Sequence, residues 1–367
     1  MPTVSLSLGD KSYDVHVVNG ALNSLGYHVS RARLEGKVAL VTDSNVVPLY
    51  ATQAVAGLED AGYQVSVHVF DAGEQSKTLA TMERIAGEMV EAGHDRTSFV
   101  VALGGGVVGD LAGFLAATYY RGIPFVQVPT TVMALVDSSV GGKTAVDIPA
   151  GKNLMGAFHQ PRLVVADPLT LTTLPPRVLR EGMAEMVKHA AIRRPKALLP
   201  LLQMADELDI GFSLGTIEKL PHIIAENITV KARIVEEDEK ETRGVRDFLN
   251  FGHTVGHGIE ASMPYGELLH GEAVSLGIRA ALFLSRKHAG LDAEAERQIL
   301  ETMRTIGLPL TLPEAVDPET AMRHIAADKK FRGGTMRTVL LRALGDPVVS
   351  TAVTAEDMRE ALELLRS

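Results

Sequence analysis

The chain has 367 residues, of which 46% are hydrophobic and 22% charged, and its formal net charge is −9. This composition predicts a globular protein of one or two domains, and the acidic balance argues against nucleic acid or an anionic membrane as a partner. The absence of cysteine excludes disulfides, thiolate catalysis and thiolate-bound metals, so His, Asp or Glu must hold any metal. The sequence shows neither a signal-peptide pattern nor an apolar segment long enough to span a membrane.

The first half of the chain alternates between strand and helix patterns. Apolar runs predict strands at 4–8, 13–18, 38–41, 62–70, 98–104 and 124–131. Amphipathic patterns predict helices between them, including one at about 48–61 and one within 73–93. Strands and helices that alternate at this spacing predict an α/β domain, with a mostly parallel sheet covered on both faces.

From about Pro175 onward the predicted segments are long and helical. They lie at 176–192, 195–206, 216–237, 247–262, 270–289, 293–306 and 318–330, followed by one extended segment at 336–344 and a last helix at 355–366. We therefore predict two domains, an α/β domain at 1–173 and a C-terminal all-α domain at 174–367. The cleft between two such domains is a favoured place for a ligand site.

A glycine-rich turn follows the strand at 98–104. The G-x-G-x-x-G pattern is matched at Gly104, Gly106 and Gly109. In this pattern the glycines let a phosphate approach the backbone, and the N-terminus of the next helix attracts it. No acidic residue ends the next strand, but Asp43, Glu74 and Lys77 follow strands expected at the same sheet edge. The pattern favours a nucleotide site, with a tight structural turn as the alternative.

The stretch between 129 and 158 is too polar and too rich in glycine to form core alone. Within 17 positions it holds Asp137, Ser138, Lys143, Lys152 and Asn153. The functional interpretation is an anion site of two lysines with an acid beside them, and the alternative is a solvated hairpin and loop. Further cations that would join the site only by converging in the cleft are Arg121, Lys188, Lys231, Arg246, Lys329 and Lys330.

Three histidines lie in an apolar, small-residue segment of the helical half. His253 and His257 are four residues apart and project from one face of a helix, while His270 begins the next apolar run. With no cysteine available, two histidines and a carboxylate such as Glu185 would form an open three-ligand zinc site. The alternative is that the helix histidines bond the backbone. A metal beside a nicotinamide cofactor points to oxidation of a secondary alcohol.

Six ordered motifs resemble those of the 3-dehydroquinate synthase family. They are GGGVVGDLAGF, RGIPFVQVPTTVMALVDSSVGGKTAVD, GKNLMGAF, EGMAEMVKHA, LNFGHTVGHGIE and LLHGEAV, and the resemblance runs over nearly the whole chain. It implies a Rossmann-like NAD-binding α/β domain, a C-terminal all-α metal-binding domain and a cytoplasmic homodimer in the shikimate pathway of aromatic amino-acid biosynthesis. The implied cofactors are NAD and one divalent metal ion per subunit, Zn²⁺ or Co²⁺.

The resemblance also implies roles for individual residues. The implied metal ligands are Glu185, His253 and His270. The implied catalytic residues are Asp137, Lys143, Lys188, Asn250 and His257. The implied substrate contacts are Arg121 (from the partner subunit), Lys143, Asn153, Lys188, Lys231, Arg246, Asn250 and one of Lys329 and Lys330. The implied NAD positions are Asp43, Glu74, Lys77, Gly104, Gly105, Gly106, Asp110, Thr130, Thr131, Asp137, Lys143, Lys152 and Thr173.

The implied reaction converts 3-deoxy-D-arabino-heptulosonate 7-phosphate to 3-dehydroquinate and phosphate. It proceeds by transient oxidation by NAD, elimination of phosphate, re-reduction and intramolecular aldol closure. The alternatives are another sugar-phosphate cyclase (2-deoxy-scyllo-inosose, aminodehydroquinate or epi-valiolone type), a metal-dependent NAD polyol dehydrogenase and a non-catalytic NAD-binding module. Two residues depart from the family's usual pattern, Asp147 where Asn is more often expected and Val255 where Phe is usual.

Overall fold

The computed structural model describes residues 2–264, 266–327, 331–332 and 335–367. In chain order its strands are β1 (Thr3–Leu6), β2 (Tyr13–Val17), β3 (Val38–Asp43), β4 (Val65–Phe70), β5 (Phe99–Gly104), β6 (Phe125–Pro129), β7 (Lys143–Ile148), β8 (Gly151–Phe158), β9 (Leu163–Ala166), β10 (Phe331–Arg332), β11 (Thr335–Met336), β12 (Thr338–Ala343) and β13 (Asp346–Ser350). Its helices are α1 (Leu25–Arg31), α2 (Thr52–Glu59), α3 (Leu79–Glu91), α4 (Gly106–Thr118), α5 (Pro176–Arg193), α6 (Leu198–Ala205), α7 (Leu214–Glu237), α8 (His253–Ala261), α9 (His270–Ala289), α10 (Ala293–Ile306), α11 (Pro318–Ala327) and α12 (Ala355–Leu364). None of the helices among the described residues is long and apolar enough to cross a bilayer.

The chain forms two compact units. The first contains the residues up to Leu174 together with Leu214–Glu236, and the second contains Pro175–Ser213 with Glu237–Ser367. The sequence prediction placed all residues from 174 onward in the second domain, whereas the structure groups most of α7 with the first unit. Hydrogen bonds fix that helix there, such as the one from Asn19 Nδ2 to the Ile217 carbonyl oxygen at 2.8 Å.

The first unit is built around a seven-stranded sheet in the order β1-β2-β9-β6-β5-β3-β4. β1 and β2 pair antiparallel, and the other neighbouring strands run parallel. β3, β5, β6 and β9 are buried along their whole length, because apolar cores cover both faces of the sheet. Leu40 and Leu103 belong to one core, and Val41 and Ala102 to the other. The predicted α/β class is confirmed.

Three neighbouring parallel strands of this sheet end at one edge. β3 ends at Asp43, β5 ends at Gly104 and β6 is followed by Thr130, whose backbone N–H donates to the Gly104 carbonyl oxygen at 3.0 Å. The carboxyl edge of a parallel sheet is where ligands bind in folds of this kind. The sequence-predicted nucleotide residues Asp43, Gly104 and Thr130 therefore lie at this edge.

The second unit consists mainly of helices, and several of them share an apolar core. Val255 on α8, Leu276 on α9 and Leu340 on β12 are buried in that core. α9 packs closely against the start of α8. A Cβ atom on Gly277 of α9 would lie only 1.8 Å from the carbonyl oxygen of Gly252, the residue just before α8. This approach brings together the parts of the chain that carry the three histidines.

A predicted helix boundary in the second unit differs from the structure, and another falls at the limit of the described residues. The predicted helix at 247–262 is wrong at its start, since Arg246–Asn250 forms a 3-10 turn and α8 begins at His253. Gly252, with a φ of 80°, has a left-handed conformation that separates the two segments. The predicted helix at 318–330 is α11 as far as Ala327, and the rest of it lies outside the described residues.

Candidate active site

The histidine cluster of the second unit is formed where α8 and α9 begin. His253 is the first residue of α8, His257 lies one turn further on, and His270 is the first residue of α9. The ring centroids are 5.1 Å apart for His253 and His257, 5.5 Å for His253 and His270, and 5.7 Å for His257 and His270. One ring nitrogen from each histidine lies within 4.8 Å of the others, which is a spacing compatible with a metal ion.

Glu185 brings a carboxylate to the same cluster. It lies on α5 and is fully buried, with its Oε1 atom 3.4 Å from His253 Nε2 and 3.9 Å from His270 Nε2. In a tetrahedral zinc site with bonds of about 2.0–2.1 Å, neighbouring ligand atoms lie about 3.3–3.4 Å apart. The separation of Glu185 from His253 matches this spacing, and its separation from His270 is longer. The three sequence-predicted ligands therefore converge on one place, and their residue types suit a divalent metal ion. Lys188, one helical turn from Glu185, forms a buried ion pair with the other carboxylate oxygen.

Hydrogen bonds orient both of the predicted histidine ligands. His253 Nδ1 lies 3.2 Å from the Phe251 carbonyl oxygen, and His270 Nδ1 lies 2.8 Å from Glu260 Oε2. Each Nδ1 atom is then the donor, so Nε2 is the ring nitrogen that faces Glu185 and is placed to bind a metal ion. Metal-binding histidines are commonly held in this way.

The electrostatics of the cluster also favour a cation. Burial, together with the Lys188 ammonium, lowers the pKa of His253 to about 4, so its imidazole is neutral and able to bind a metal. Burial opposes protonation of His270, but the hydrogen bond to Glu260 and the charges of Glu260 and Glu185 raise its pKa to about 9. Burial raises the pKa of Glu181 to about 7. A metal cation would displace the proton that these carboxylates hold on His270.

Other predicted site residues of the second unit lie near the start of α8. Arg246 is buried, and it donates from Nη1 to the Glu239 carbonyl oxygen at 2.7 Å and pairs with Glu241 at 3.4 Å. Asn250 is half-buried at the end of the 3-10 turn. Lys329 and Lys330 lie outside the described residues, so their predicted role stays a prediction.

In the first unit, the glycine turn has the geometry that the sequence pattern predicts. Gly104 ends β5, Gly105 is extended, and α4 begins at Gly106. A Cβ atom on Gly104 would lie 2.5 Å from Val108 Cγ2, and one on Gly109 would lie 2.7 Å from Gln127 Oε1. A larger residue at either position would have to displace Val108 or Gln127. The N-terminus of α4 lies directly after this turn, and a helix N-terminus is a favourable place for a phosphate.

Beside this turn, Lys77 joins three of the predicted positions. Its Nζ atom donates to Asp110 Oδ2 at 2.7 Å and to Asn153 Oδ1 at 2.6 Å, and lies 3.7 Å from Glu74 Oε1. Burial raises the pKa of the Glu74 and Asp110 carboxyl groups. Burial alone would lower the pKa of Lys77, but the negative charges of Asp110 and Glu74 outweigh that effect and raise it. The structure therefore brings Glu74, Lys77, Asp110 and Asn153 together.

A second ion pair of the first unit joins two residues far apart in the sequence. Lys231 Nζ, on α7, lies 2.8 Å from Asp137 Oδ1 and donates to the Asp137 carbonyl oxygen at 2.7 Å. This pair is one of the contacts that join α7 to the rest of the first unit. Lys143 and Lys152 are exposed on the β7–β8 hairpin, and Arg121 is exposed with a left-handed φ of 72°.

Hydrogen bonds also hold three further predicted NAD positions, which are Asp43, Thr131 and Thr173. Asp43 Oδ1 accepts from the backbone N–H groups of Asn45 and Val46 at 2.9 and 3.0 Å. Burial raises the pKa of the Asp43 carboxyl group. The Thr131 hydroxyl accepts from the Ala134 N–H at 3.1 Å, and the Thr173 hydroxyl lies 2.5 Å from the Tyr50 hydroxyl.

Two consecutive family matches cover most of the chain. Residues 67–181 match the family described as 3-dehydroquinate synthase N-terminal, and residues 182–331 match the one described as 3-dehydroquinate synthase C-terminal. A 3-dehydroquinate synthase from Symbiobacterium thermophilum is 47% identical over 365 residues, which cover 98% of this chain and all of that protein.

Solved structures support the same grouping. The 2-epi-5-epi-valiolone synthase of Streptomyces hygroscopicus, with NAD⁺ and Zn²⁺ bound, has a TM-score of 0.87 at 29% identity, covering 98% of both chains. A 2-deoxy-scyllo-inosose synthase complexed with carbaglucose-6-phosphate, NAD⁺ and Co²⁺ has a TM-score of 0.88 at 26% identity, covering 98% of this chain and 99% of that one. The fold matches the class of sugar-phosphate cyclases to which these two structures belong. Within that class, the chain belongs to the 3-dehydroquinate synthase family.

The sequence prediction did not name two carboxylates of the histidine cluster. Glu260 contacts His270 directly, and Glu181 Oε2 accepts from the Gly271 N–H at 2.9 Å. A signal for Glu260 was present, because it lies two helical turns after His253 and therefore on the same face of α8. No comparable signal exists for Glu181, which meets α9 only through the packing of α5.

Proposed function

We propose that this protein is a 3-dehydroquinate synthase, which converts 3-deoxy-D-arabino-heptulosonate 7-phosphate to 3-dehydroquinate and phosphate. The observation that carries this proposal is the convergence of Glu185, His253 and His270, with the Glu185 carboxylate 3.4 and 3.9 Å from the two imidazole Nε2 atoms. The 47% identity to a 3-dehydroquinate synthase favours this reaction over those of the cyclases that are 26% and 29% identical.

The two cofactors would be held by residues of different units. Glu185, His253 and His270 would bind one Zn²⁺ or Co²⁺ ion. The glycine turn at Gly104–Gly106 and the residues around Lys77 and Asp110 would bind NAD, and Asp43 would bind a ribose. When bound, NAD supplies reversible acceptance of a hydride, and the metal ion supplies Lewis-acid polarisation of a substrate hydroxyl.

The chain's own contribution is positioning and compensation of charge. The substrate carries a phosphate and a carboxylate, and in an acidic protein these groups require a local set of cations. We assign Arg121, Lys143, Asn153 and Arg246 to the phosphate, and Lys188, Lys231 and Asn250 to the carboxylate and the ring hydroxyls. Lys188 and Lys231 are each held by a carboxylate, so their ammonium groups are in place before the substrate binds.

Two residues are assigned to proton movement. The imidazole ring centroids of His257 and His253 are 5.1 Å apart in the histidine cluster. We assign His257 to proton transfer instead of metal binding. Asp137 is assigned to the reacting hydroxyl, with Lys231 fixing its carboxylate through a contact of 2.8 Å. This division of roles leaves the metal with three protein ligands and an open position for a substrate hydroxyl.

We further propose that the protein is a cytoplasmic homodimer in which Arg121 reaches the substrate of the partner subunit. Arg121 is exposed and has a left-handed backbone conformation, with a φ of 72°. Such conformations persist where surrounding structure imposes them, and they often occur at functional positions. The net charge of −9 supports a small-molecule substrate over nucleic acid or a membrane as the partner.

Release of inorganic phosphate tests the function. We expect stoichiometric phosphate from the heptulosonate phosphate with catalytic NAD⁺ and Zn²⁺ or Co²⁺, and no accumulation of NADH. Glucose 6-phosphate, which lacks the carboxylate, should release none. Absence of phosphate from the heptulosonate phosphate would refute the proposal, and stoichiometric NADH would indicate a polyol dehydrogenase instead.

A further inference from the structure

Asp147 lies at a bulge in the β7–β8 hairpin of the first unit. Val146 pairs with Met155 and Ile148 pairs with Gly151, so the register shifts across Asp147. The backbone N–H of Asp147 instead donates to the Lys77 carbonyl oxygen at 2.7 Å, and Asp147 forms an isolated bridge with Thr78. Bulges redirect a residue out of the ladder. This bulge therefore joins the hairpin to the segment that carries Lys77.

The side chain of Asp147 makes a second link. Its Oδ1 atom accepts from the backbone N–H of Asn153 at 2.7 Å. Asn153 has a φ of 54°, in the left-handed region that residues with a side chain seldom adopt. The Asp147 carboxylate thus stabilises an unfavourable backbone conformation at Asn153.

Lys77 closes these contacts into a ring. Its Nζ atom donates to Asn153 Oδ1 at 2.6 Å, so Lys77 and Asn153 contact each other through their side chains. Asp147 contacts the backbone of both Lys77 and Asn153, which makes the three contacts a closed ring. The Lys77 side chain is almost fully buried and also contacts Asp110. Because the ammonium is confined in this way, a shift of the Asn153 backbone would change the set of groups that surround it.

We propose that Asp147 is a positioning residue that fixes Lys77 and Asn153 relative to each other. This inference rests on the proposed function, in which Lys77 contacts NAD and Asn153 contacts the substrate phosphate. Asp147 acts through the two residues it holds. What it supplies is an oxygen acceptor at a defined distance, so an asparagine should replace it and a longer or shorter side chain should not.

Three substitutions separate the position of the acceptor from its charge. Asp147→Asn removes the charge and keeps the acceptor, Asp147→Glu keeps the charge and moves the acceptor, and Asp147→Ala removes both. Asp60→Ala, an exposed residue just after α2, is the matched control. Amide hydrogen exchange at Asn153 measures, without any ligand, whether its N–H is still bonded to residue 147. Calorimetric titration with NAD⁺ measures whether loss of that bond weakens NAD⁺ binding. The melting temperature and the content of bound metal show that each variant is folded.

We expect Asp147→Ala and Asp147→Glu to lose protection of the Asn153 amide and to bind NAD⁺ about tenfold more weakly. Asp147→Asn and Asp60→Ala should stay within about threefold of the parent in both measurements. A loss in Asp147→Asn as large as that in Asp147→Ala would overturn the inference, because an acceptor at the right position would then not be sufficient without the charge. Unchanged exchange at Asn153 in Asp147→Glu and Asp147→Ala would overturn it as well. Failure of the parent to bind NAD⁺ would refute the proposed function, while the exchange measurement would still decide whether Asp147 holds Asn153.

Discussion

The carboxylate of Glu260 accepts a hydrogen bond from Nδ1 of His270 at 2.8 Å, across the gap between α8 and α9. The bond fixes the imidazole so that Nε2 faces Glu185, 3.9 Å away. Neither residue could orient the other if α8 and α9 were further apart. The close approach of the two helices is therefore part of the site and not only of the core.

Substitution of Glu260 by glutamine should weaken metal binding. The amide leaves the geometry nearly unchanged, but it removes the charge that raises the pKa of His270 and makes the imidazole a better ligand. We expect a loss of metal affinity of about 10–100-fold, measured by competition with a chelator at fixed pH. Glu363→Gln, on the exposed face of α12, is the control. Equal affinity in the two variants would show that Glu260 does not act on the metal site.

The roles of His257 and His270 can be separated by alanine substitutions. We expect His270→Ala to abolish metal retention, because it removes one of three ligands. His257→Ala should retain the metal and lose at least about 100-fold in rate, which is typical of a missing general acid or base. Metal content by atomic absorption and phosphate release measure the two effects. Equal metal loss in both variants would make His257 a ligand and would restore the helix pair at 253 and 257 as the metal motif.

Sequence patterns identify most of the fold and the centre of the site, but they do not identify contacts between distant residues that form only when helices and strands pack together. Apolar runs predict β3 and β5 correctly, because a strand that is buried on both faces is apolar at nearly every position. The periodicity of α7 indicated a buried face without indicating which core would receive it, so its membership of the first unit was not foreseen. The contact between Lys231 and Asp137, 94 residues apart, could not be predicted from spacing for the same reason.

A histidine far from the site should make stability depend on pH. Burial, followed by the effect of nearby His68, lowers the pKa of His94 to about 4 from its ordinary value of 6.5. Ser66 Oγ lies 2.6 Å from His94 Nε2. Between these two pKa values the unfolded chain binds the proton and the folded chain does not, so stability falls as pH decreases from about 6.5 toward about 4.

Urea unfolding of the metal-free protein at about pH 7 and about pH 5 measures this effect. His94→Gln removes the titrating group, and its free energy of unfolding should change less between the two pH values than that of the parent. Comparison of parent and variant cancels the contributions of the histidines that do not interact with His94. The same change with pH in both proteins would contradict the assignment.

Two glycine-to-alanine substitutions should have opposite effects, one at the contact between α8 and α9 and one on α3, where there is no such contact. A Cβ atom on Gly277 would meet the Gly252 carbonyl oxygen at 1.8 Å, so Gly277→Ala must separate the helices that present His253 and His270. We expect it to reduce the free energy of unfolding by about 3 kcal/mol or more and to weaken metal binding. Gly87 lies within α3, where a Cβ atom would meet nothing within 4 Å, so Gly87→Ala should stabilise the protein by about 0.5–1 kcal/mol without affecting the metal. Chemical denaturation and metal content measure both variants. If Gly277→Ala retained parental stability and metal affinity, the two helices would not be packed as closely as described, and the site would not depend on their contact.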